Sequence, residues 1–482
     1  MSPEASITAR ADSPLYIQIA DALVQQVAHG ALRPGDRVPS LRQLSRQQHV
    51  SVTTAQQAYM WLENRGYLEA RPQSGFYVRT PSARSIPEPQ FVARPSKPAA
   101  LGSNAVLAGI IEAAADPANV PFGAGCVGPE LFPNRKLNLI LRQIVRERPL
   151  HSANYDFPPG VERLRRQIAR RALAAGCRVA PRDIVITSGA QEAVNLSLRA
   201  VARPGDVIAV ESPTYFGILE SAASLHIKVL EISTHPQGGM DLDELERAIK
   251  KHSVKACIIM PNCHNPLGYV LPNSHKRALV ELTARRNVAV IEDDLYRDLA
   301  FDDTHPQTAK SFDRKGLVLL CSSCSKTLSP GYRIGWVFAG RFQAEVERLK
   351  LITSMAAPSL PQWVVAEFLA SGGYDRYLKR LRATLAGQVE TVRQAAFQCF
   401  PQGTRISRPA GGHMLWIELP AKIDAMKLWR AALGEHIGIL PGPIFSAGGR
   451  YHNHIRLNAG IMPSETRNRA LATLGRLCGH RA

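Results

Sequence analysis

The stretch Ser322–Trp336, SSCSKTLSPGYRIGW, follows the apolar run Gly316–Cys321, GLVLLC. The run reads as a short buried β-strand, and the serine-rich turn after it holds one lysine, Lys326, with Arg333 seven residues on. An amine placed among small hydroxyls at a strand end is an odd choice for a surface loop. Five further runs resemble GLVLLC: DIVIT (183–187), VIAVE (207–211), VKACIIM (254–260), VAVIED (288–293) and RIGWVFA (333–339). Helical stretches separate them. Short apolar strands alternating with helices predict an α/β fold, a mostly parallel sheet flanked by helices. The last hundred or so residues change character. HMLWIELP (413–420) and HIRLNAG (454–460) suggest a small C-terminal α+β lobe.

The chain has 482 residues, 45% of them hydrophobic, which is enough for more than one domain. Its formal net charge of +19 invites a nucleic-acid partner. Residues 1–80, however, carry eight Lys/Arg against six Asp/Glu, so charge alone does not locate a DNA surface. The eight cysteines are scattered through apolar runs such as KACIIM and FQCF, as expected of reduced core thiols in a cytoplasmic protein. Cys321 and Cys324 form a C-x-x-C without a second pair, a weak basis for zinc or redox chemistry. No signal core and no apolar run long enough for a membrane span is found.

Three zones are predicted: a helix-rich module over residues 1–80, a linker over 81–118 and a ligand-binding domain over 119–482. Pro81, Pro87, Pro89, Pro95 and Pro98 stiffen the middle zone and argue against helix or sheet there. In the first zone, Ile17, Ala20, Leu23, Val24 and Val27 have helical spacing that Gly30 ends. Ser40 caps a second helix. Ser51 caps a third, with Ala55, Ala58, Tyr59 and Leu62 as its apolar face and Gly66 at its end. YLEAR and FYVR then form a β-ribbon. This is the pattern of a winged helix-turn-helix, whose second paired helix enters the major groove of double-stranded DNA. Ser51, Thr53, Thr54, Gln56 and Gln57 are its candidate contacts, with Arg42 as a phosphate clamp. The alternative is a small helical packing domain with a solvated polar face.

In the third zone, candidate groups fall at the predicted strand ends, where ligands of α/β sheets bind. Ser188-Gly189-Ala190-Gln191 is a glycine turn opening a helix, able to present N–H groups to an anion. Tyr215 could lie flat on a ring or belong to the core. Asn265 precedes a proline with its amide available. Glu292, Asp293 and Asp294 could hold a cation such as Mg²⁺ or pair with a protonated nitrogen. One ligand uses all of these groups together: pyridoxal 5′-phosphate, with an aldehyde for Lys326, a ring nitrogen for a carboxylate, a phenolate oxygen and a phosphate.

The first zone resembles the GntR-type winged helix over nearly all of residues 13–79, with Val52 where that family often has arginine. Residues from about 120 to 475 resemble a fold-type I aminotransferase through YDFPPGVERLRRQI, SGAQEA, SPTYFG, HNPLG, EDDLY, SCSKTLSPGYRIGW and IRLNAG, in the family's order. The combination resembles the MocR subfamily of transcription regulators. The resemblance implies Lys326 as the Schiff-base lysine and Asp293, three before Tyr296, as the partner of the pyridine nitrogen. It places Tyr215 on the ring and Asn265 and Tyr296 at the ring oxygen. Ala190, Gln191, Ser323, Ser325 and Arg333 would surround the phosphate, with Tyr155 reaching it from the neighbouring subunit of a head-to-tail homodimer. Arg456 would clamp the carboxylate of an amino compound acting as effector or substrate. No metal is implied. The resemblance fits a regulator that senses this compound, or an aminotransferase carrying an accessory head.

Overall fold

The computed structural model describes residues 15–28, 31–33, 35–64, 67–71, 74–78, 86–91, 96–102, 105–302 and 306–479. The helix-ending glycines Gly30 and Gly66 and the linker prolines Pro81 and Pro95 lie outside these residues. The chain divides into two compact units, Met1–Ile86 and Pro87–Ala482.

The first unit holds α1 (Leu15–Ala28), α2 (Leu41–Gln47), α3 (Val52–Asn64) and an antiparallel ribbon of β1 (Leu68–Arg71) and β2 (Gly75–Val78). Ile19, Ala20, Leu23, Leu44, Ala55, Ala58, Tyr59 and Leu62 form its core with Leu68 and Val78 of the ribbon. Ile17, expected in the core, is only half-buried, and Ile19 takes the buried position. Tyr59 ties the module together. Its ring meets Phe76 edge-on at 5.0 Å, and its hydroxyl donates to the Pro39 carbonyl just before α2.

The second unit begins with a segment whose prolines predicted a plain linker. Residues 105–115 instead form α4 (Ala105–Ala115), and Ala99 pairs with Val229. No proline falls between Pro98 and Pro117, and AVLAGIIEAAA in that gap is free to wind into a helix. The chain continues through α5 (Asn134–Glu147), α6 (Glu162–Ala174), β3 (Ile184–Thr187), α7 (Ala190–Val201), β4 (Val207–Ser212), α8 (Phe216–Ser224), β5 (Lys228–His235) and β6 (Gly239–Met240). Then come β7 (Ala256–Ile259), β8 (Ala289–Asp293), β9 (Val318–Ser323) and β10 (Gly335–Phe338). These strands form one eight-stranded sheet in the order β3-β10-β9-β8-β7-β4-β5-β6. The five neighbours from β9 to β5 are parallel, while β10 and β6 run against their partners. All six predicted strands are present. Strands β7, β8 and β9 are buried along their whole length, as expected of a sheet covered on both faces.

The small lobe is an antiparallel sheet of β11 (Arg405–Ile406), β12 (Met414–Glu418), β13 (Leu440–Pro441) and β14 (His454–Asn458), in the order β11-β12-β14-β13. Among the described residues no helix is long and apolar enough to cross a membrane.

Candidate cofactor site and DNA-binding head

Parallel register brings the strand ends together. Asp293, the last residue of β8, pairs with Cys321 two residues before the end of β9, and the turn to Lys326 follows. That turn closes on itself: the Cys324 N–H donates to Ile334 and the Leu328 N–H to Cys324. Lys326 is half-buried, its Nζ 3.4 Å from Cys126 Sγ and 5.9 Å from the centre of the Tyr296 ring.

The acid triplet resolves into three roles. Glu292 accepts from the Ala309 and Lys310 N–H groups at 2.7 and 2.8 Å. Asp294 accepts from Asn262 Nδ2 at 2.8 Å and from Arg297 Nε at 2.9 Å. Asp293 is buried, and its Oδ1 has no partner among the described residues. Burial, with Asp294 beside it, pushes Asp293 up to about 7 against the opposing pull of Lys326. A buried, unpaired carboxylate oxygen is costly unless something is meant to bind it. Among the described residues, no group of three or more His, Cys, Asp or Glu is placed to hold a metal ion.

In the folded, cofactor-free chain, then, Asp293 keeps its proton well above the ordinary 3.8. The unfolded chain ionises it earlier, so this carboxyl makes folding stability fall as pH rises from about 4 to about 7. Asp293→Asn is expected to flatten that part of the curve, as read from urea midpoints of cofactor-free protein across this range.

Gly189 opens α7 at φ +90°, and a Cβ there would sit 2.5 Å from Arg333 Nη2. Arg333 lies across this glycine turn and donates to the Ser188 carbonyl at 2.8 Å. The turn is braced by Glu192, which accepts from the Ser188 N–H at 2.6 Å and pairs with Lys350 at 2.8 Å. The result is a helix N-terminus with a guanidinium over it, a natural phosphate cradle. Ala190 starts the helix. The Gln191 side chain points elsewhere, donating to Gly217 O and Ser221 Oγ, so its backbone N–H is what it offers an anion. Ser323 and Ser325 are buried beside each other, with the Ser325 N–H donating to Ser323 Oγ. Gly217 leaves room for the Tyr215 ring, which a Cβ at that position would strike. Tyr215 lies within electrostatic reach of Lys326, Tyr296, Arg456 and Asp293, and burial raises its hydroxyl.

Arg456, on β14 of the small lobe, is fully buried. It donates through Nη1 to Asn265 Oδ1 at 3.1 Å, and through Nη2 to the carbonyls of Gly123 and Ala124 at 2.7 and 3.3 Å. Its Nε has no partner among the described residues. Asn265 and Arg456, read separately from the sequence, are thus one bonded pair. Tyr155 is 66% exposed, with its ring centre 5.5 Å from that of Phe157.

Two residues were not anticipated. Glu211, at the end of β4, accepts from the Met260 N–H and the Tyr269 hydroxyl and lies 3.4 Å from His264 Nε2. It thereby clamps both sides of the loop that carries Asn265. His413 is buried against the Tyr296 ring, with centres 5.7 Å apart. Its only sequence signal was its place at the head of the apolar run HMLWIELP.

In the first unit, Ser51 Oγ accepts from the Thr54 N–H at 3.0 Å and bonds the Thr54 hydroxyl at 2.8 Å. These two cap α3. Arg42, Thr53, Gln56 and Gln57 are exposed. If Arg42 grips a DNA phosphate, Arg42→Ala is expected to weaken binding to every sequence and to lower the salt slope by about one. Titrations of a labelled duplex at several salt concentrations measure both.

The pattern of the family Aminotransferase class I and II matches residues 147–474, and that of bacterial regulatory proteins of the gntR family matches residues 15–78. The chain is 40% identical over 466 residues to the uncharacterized HTH-type transcriptional regulator YdcR of Escherichia coli, covering 97% of this chain and 99% of that one. A second Escherichia coli regulator, YjiR, is 36% identical over 95% of this chain and 98% of its own length. The chain belongs to the MocR subfamily of GntR-type regulators. Among solved structures, LysN, an α-aminoadipate aminotransferase from Thermus thermophilus complexed with N-(5′-phosphopyridoxyl)-L-leucine, superposes with a TM-score of 0.72 at 27% identity. It covers 78% of this chain and 95% of that one. Membership in this subfamily implies DNA binding by the head and pyridoxal 5′-phosphate as cofactor. The residues present fit that cofactor. The unpartnered Asp293 Oδ1 suits a protonated ring nitrogen, the Gly189–Arg333 cradle a phosphate, and Lys326 an aldehyde.

Proposed function

We propose that this MocR-type chain is a cytoplasmic transcriptional regulator that binds an operator and senses an amino acid or related amino compound through its pyridoxal-phosphate site. The observation that carries this reading is the Arg456–Asn265 pair. It sets a buried guanidinium with an unmatched Nε in the same crevice as Lys326 and Asp293. Such a crevice recognises a carboxylate and an amine on one small molecule. The cofactor, when bound, supplies an aldehyde for amines and an electron sink. Asp293 would hold its ring nitrogen, Asn265 and Tyr296 its ring oxygen, and Gly189, Ala190, Gln191, Ser323, Ser325 and Arg333 its phosphate. The exposed Tyr155 supports a homodimer in which it reaches the partner's phosphate site. Exposed Thr53, Gln56 and Gln57 along α3 support direct contact with base edges or phosphates.

The same completeness of the site favours a second reading, a competent aminotransferase with an accessory head. Both are tested together with holoprotein, a duplex from its own upstream region and the twenty common L-amino acids. In the sensor reading, a compound that shifts the cofactor's absorbance also changes the DNA half-saturation at least about tenfold. An absorbance shift with unchanged DNA binding, and steady turnover with a keto acid, would establish the enzyme instead.

A further inference from the structure

His413 lies within electrostatic reach of both the carboxylate clamp Arg456 and the amine of Lys326. Its ring is fully buried, and its Nε2 lies 3.3 Å from the Gly125 carbonyl, which accepts the ring's proton there. That contact leaves Nδ1 as the bare nitrogen. Nδ1 is buried and has no partner among the described residues. The neighbouring carbonyls Gly123 and Ala124 receive Arg456, and Gly125 backs onto Lys326, where a Cβ would sit 3.5 Å from Nζ. One short stretch, Gly123–Gly125, therefore holds the guanidinium and the imidazole and passes beside the amine. Burial, with the charges of Lys326 and Arg456, drives His413 down to about 3, so the ring stays neutral and Nδ1 stays an acceptor. Asn265 is bonded to Arg456, and the Tyr296 ring meets the imidazole edge-on. A buried acceptor left without a partner among the described residues is costly, and a donor from a bound ligand would satisfy it.

Resting on the sensing function above, we propose that His413 is a specificity-determining residue. It accepts a hydrogen bond from a hydroxyl or amide on the side chain of the bound amino acid, so the compounds recognised are polar amino acids and not their apolar isosteres. The cofactor and Arg456 hold the amine and carboxylate common to all amino acids, and His413 reads what differs.

The test uses holoprotein and two isosteric pairs, L-asparagine with L-leucine and L-threonine with L-valine, each titrated against the cofactor's absorbance. At least one donor-bearing member is expected to half-saturate at roughly tenfold lower concentration than its isostere. In His413→Leu that preference is expected to vanish, with the apolar members changed less than about threefold. His413→Gln, which restores an acceptor, is expected to recover part of it and separates lost recognition from general damage to the wall. Equal half-saturation within both pairs in the parent protein, or a preference that survives His413→Leu, would overturn the proposal. A holoprotein that responds to none of the four would also overturn this proposal, while the sensing function itself is decided by the titration with all twenty amino acids.

Discussion

Lys326→Ala holoprotein is expected to hold pyridoxal phosphate without a covalent bond and to lose any effect of amino compounds on DNA binding. The argument starts from placement. Lys326 lies beside groups that would hold the rest of the cofactor: Asp293 its ring nitrogen, the glycine turn at Gly189 with Arg333 its phosphate. Removing the amine leaves those contacts intact. Affinity should fall at least about tenfold, roughly 1.4 kcal/mol, without disappearing. Borohydride should no longer fix the cofactor to protein. The winged helix folds around its own core of Leu44, Ala58, Tyr59 and Leu62, so duplex affinity in the absence of amino compound should match the parent. Equilibrium dialysis with cofactor and anisotropy with duplex read the two halves. Full retention of the amino-compound effect on DNA would remove Lys326 from the sensing mechanism.

Arg456→Met is expected to keep the cofactor's absorbance and to abolish its response to amino acids. The guanidinium is buried with Nε unmatched, and its two Nη groups are held by Asn265 and the Gly123–Ala124 carbonyls. It is thus oriented before any carboxylate arrives. Losing one member of such a desolvated charge pair costs about 2–5 kcal/mol, a rise in half-saturation of roughly 30-fold or more. Arg456→Lys, which keeps the charge and loses the planar fork, should fall between the two. Methionine also leaves three protein oxygens without their donor, so the melting temperature should drop by a few degrees. An unchanged spectral titration in Arg456→Met would show that the carboxylate is anchored elsewhere.

The residues of this site were legible where local pattern and strand position coincide. Asp293 and Lys326 follow near-continuous apolar strands, and a parallel sheet buried on both faces makes such strands conspicuous. Which acid of the triplet faces the ligand was a different matter. It followed from the resemblance, and physically it shows only in the partners: Glu292 and Asp294 are taken by backbone amides, Asn262 and Arg297, whereas Asp293 keeps one oxygen, Oδ1, without a partner among the described residues. Strand β5 escaped the reading because Glu231, Ser233 and Thr234 interrupt its apolar pattern. They are buried nonetheless, with Glu231 accepting from Ser212 and the Thr234 hydroxyl from the Ser212 N–H. The helix α4 was hidden by its proline-rich neighbour. Glu211 and His413 gave no local sign, since their roles come from Tyr269, Gly125 and Tyr296, remote in the chain. Long-range pairing of single polar residues has no periodicity to read.

The measurement that bears most directly on the whole account is peptide mapping of borohydride-treated holoprotein. The account predicts a single pyridoxyl-modified peptide, carrying the adduct on Lys326 of the SSCSKTLSPGYR turn. An adduct on any other lysine, or none despite bound cofactor, would contradict it.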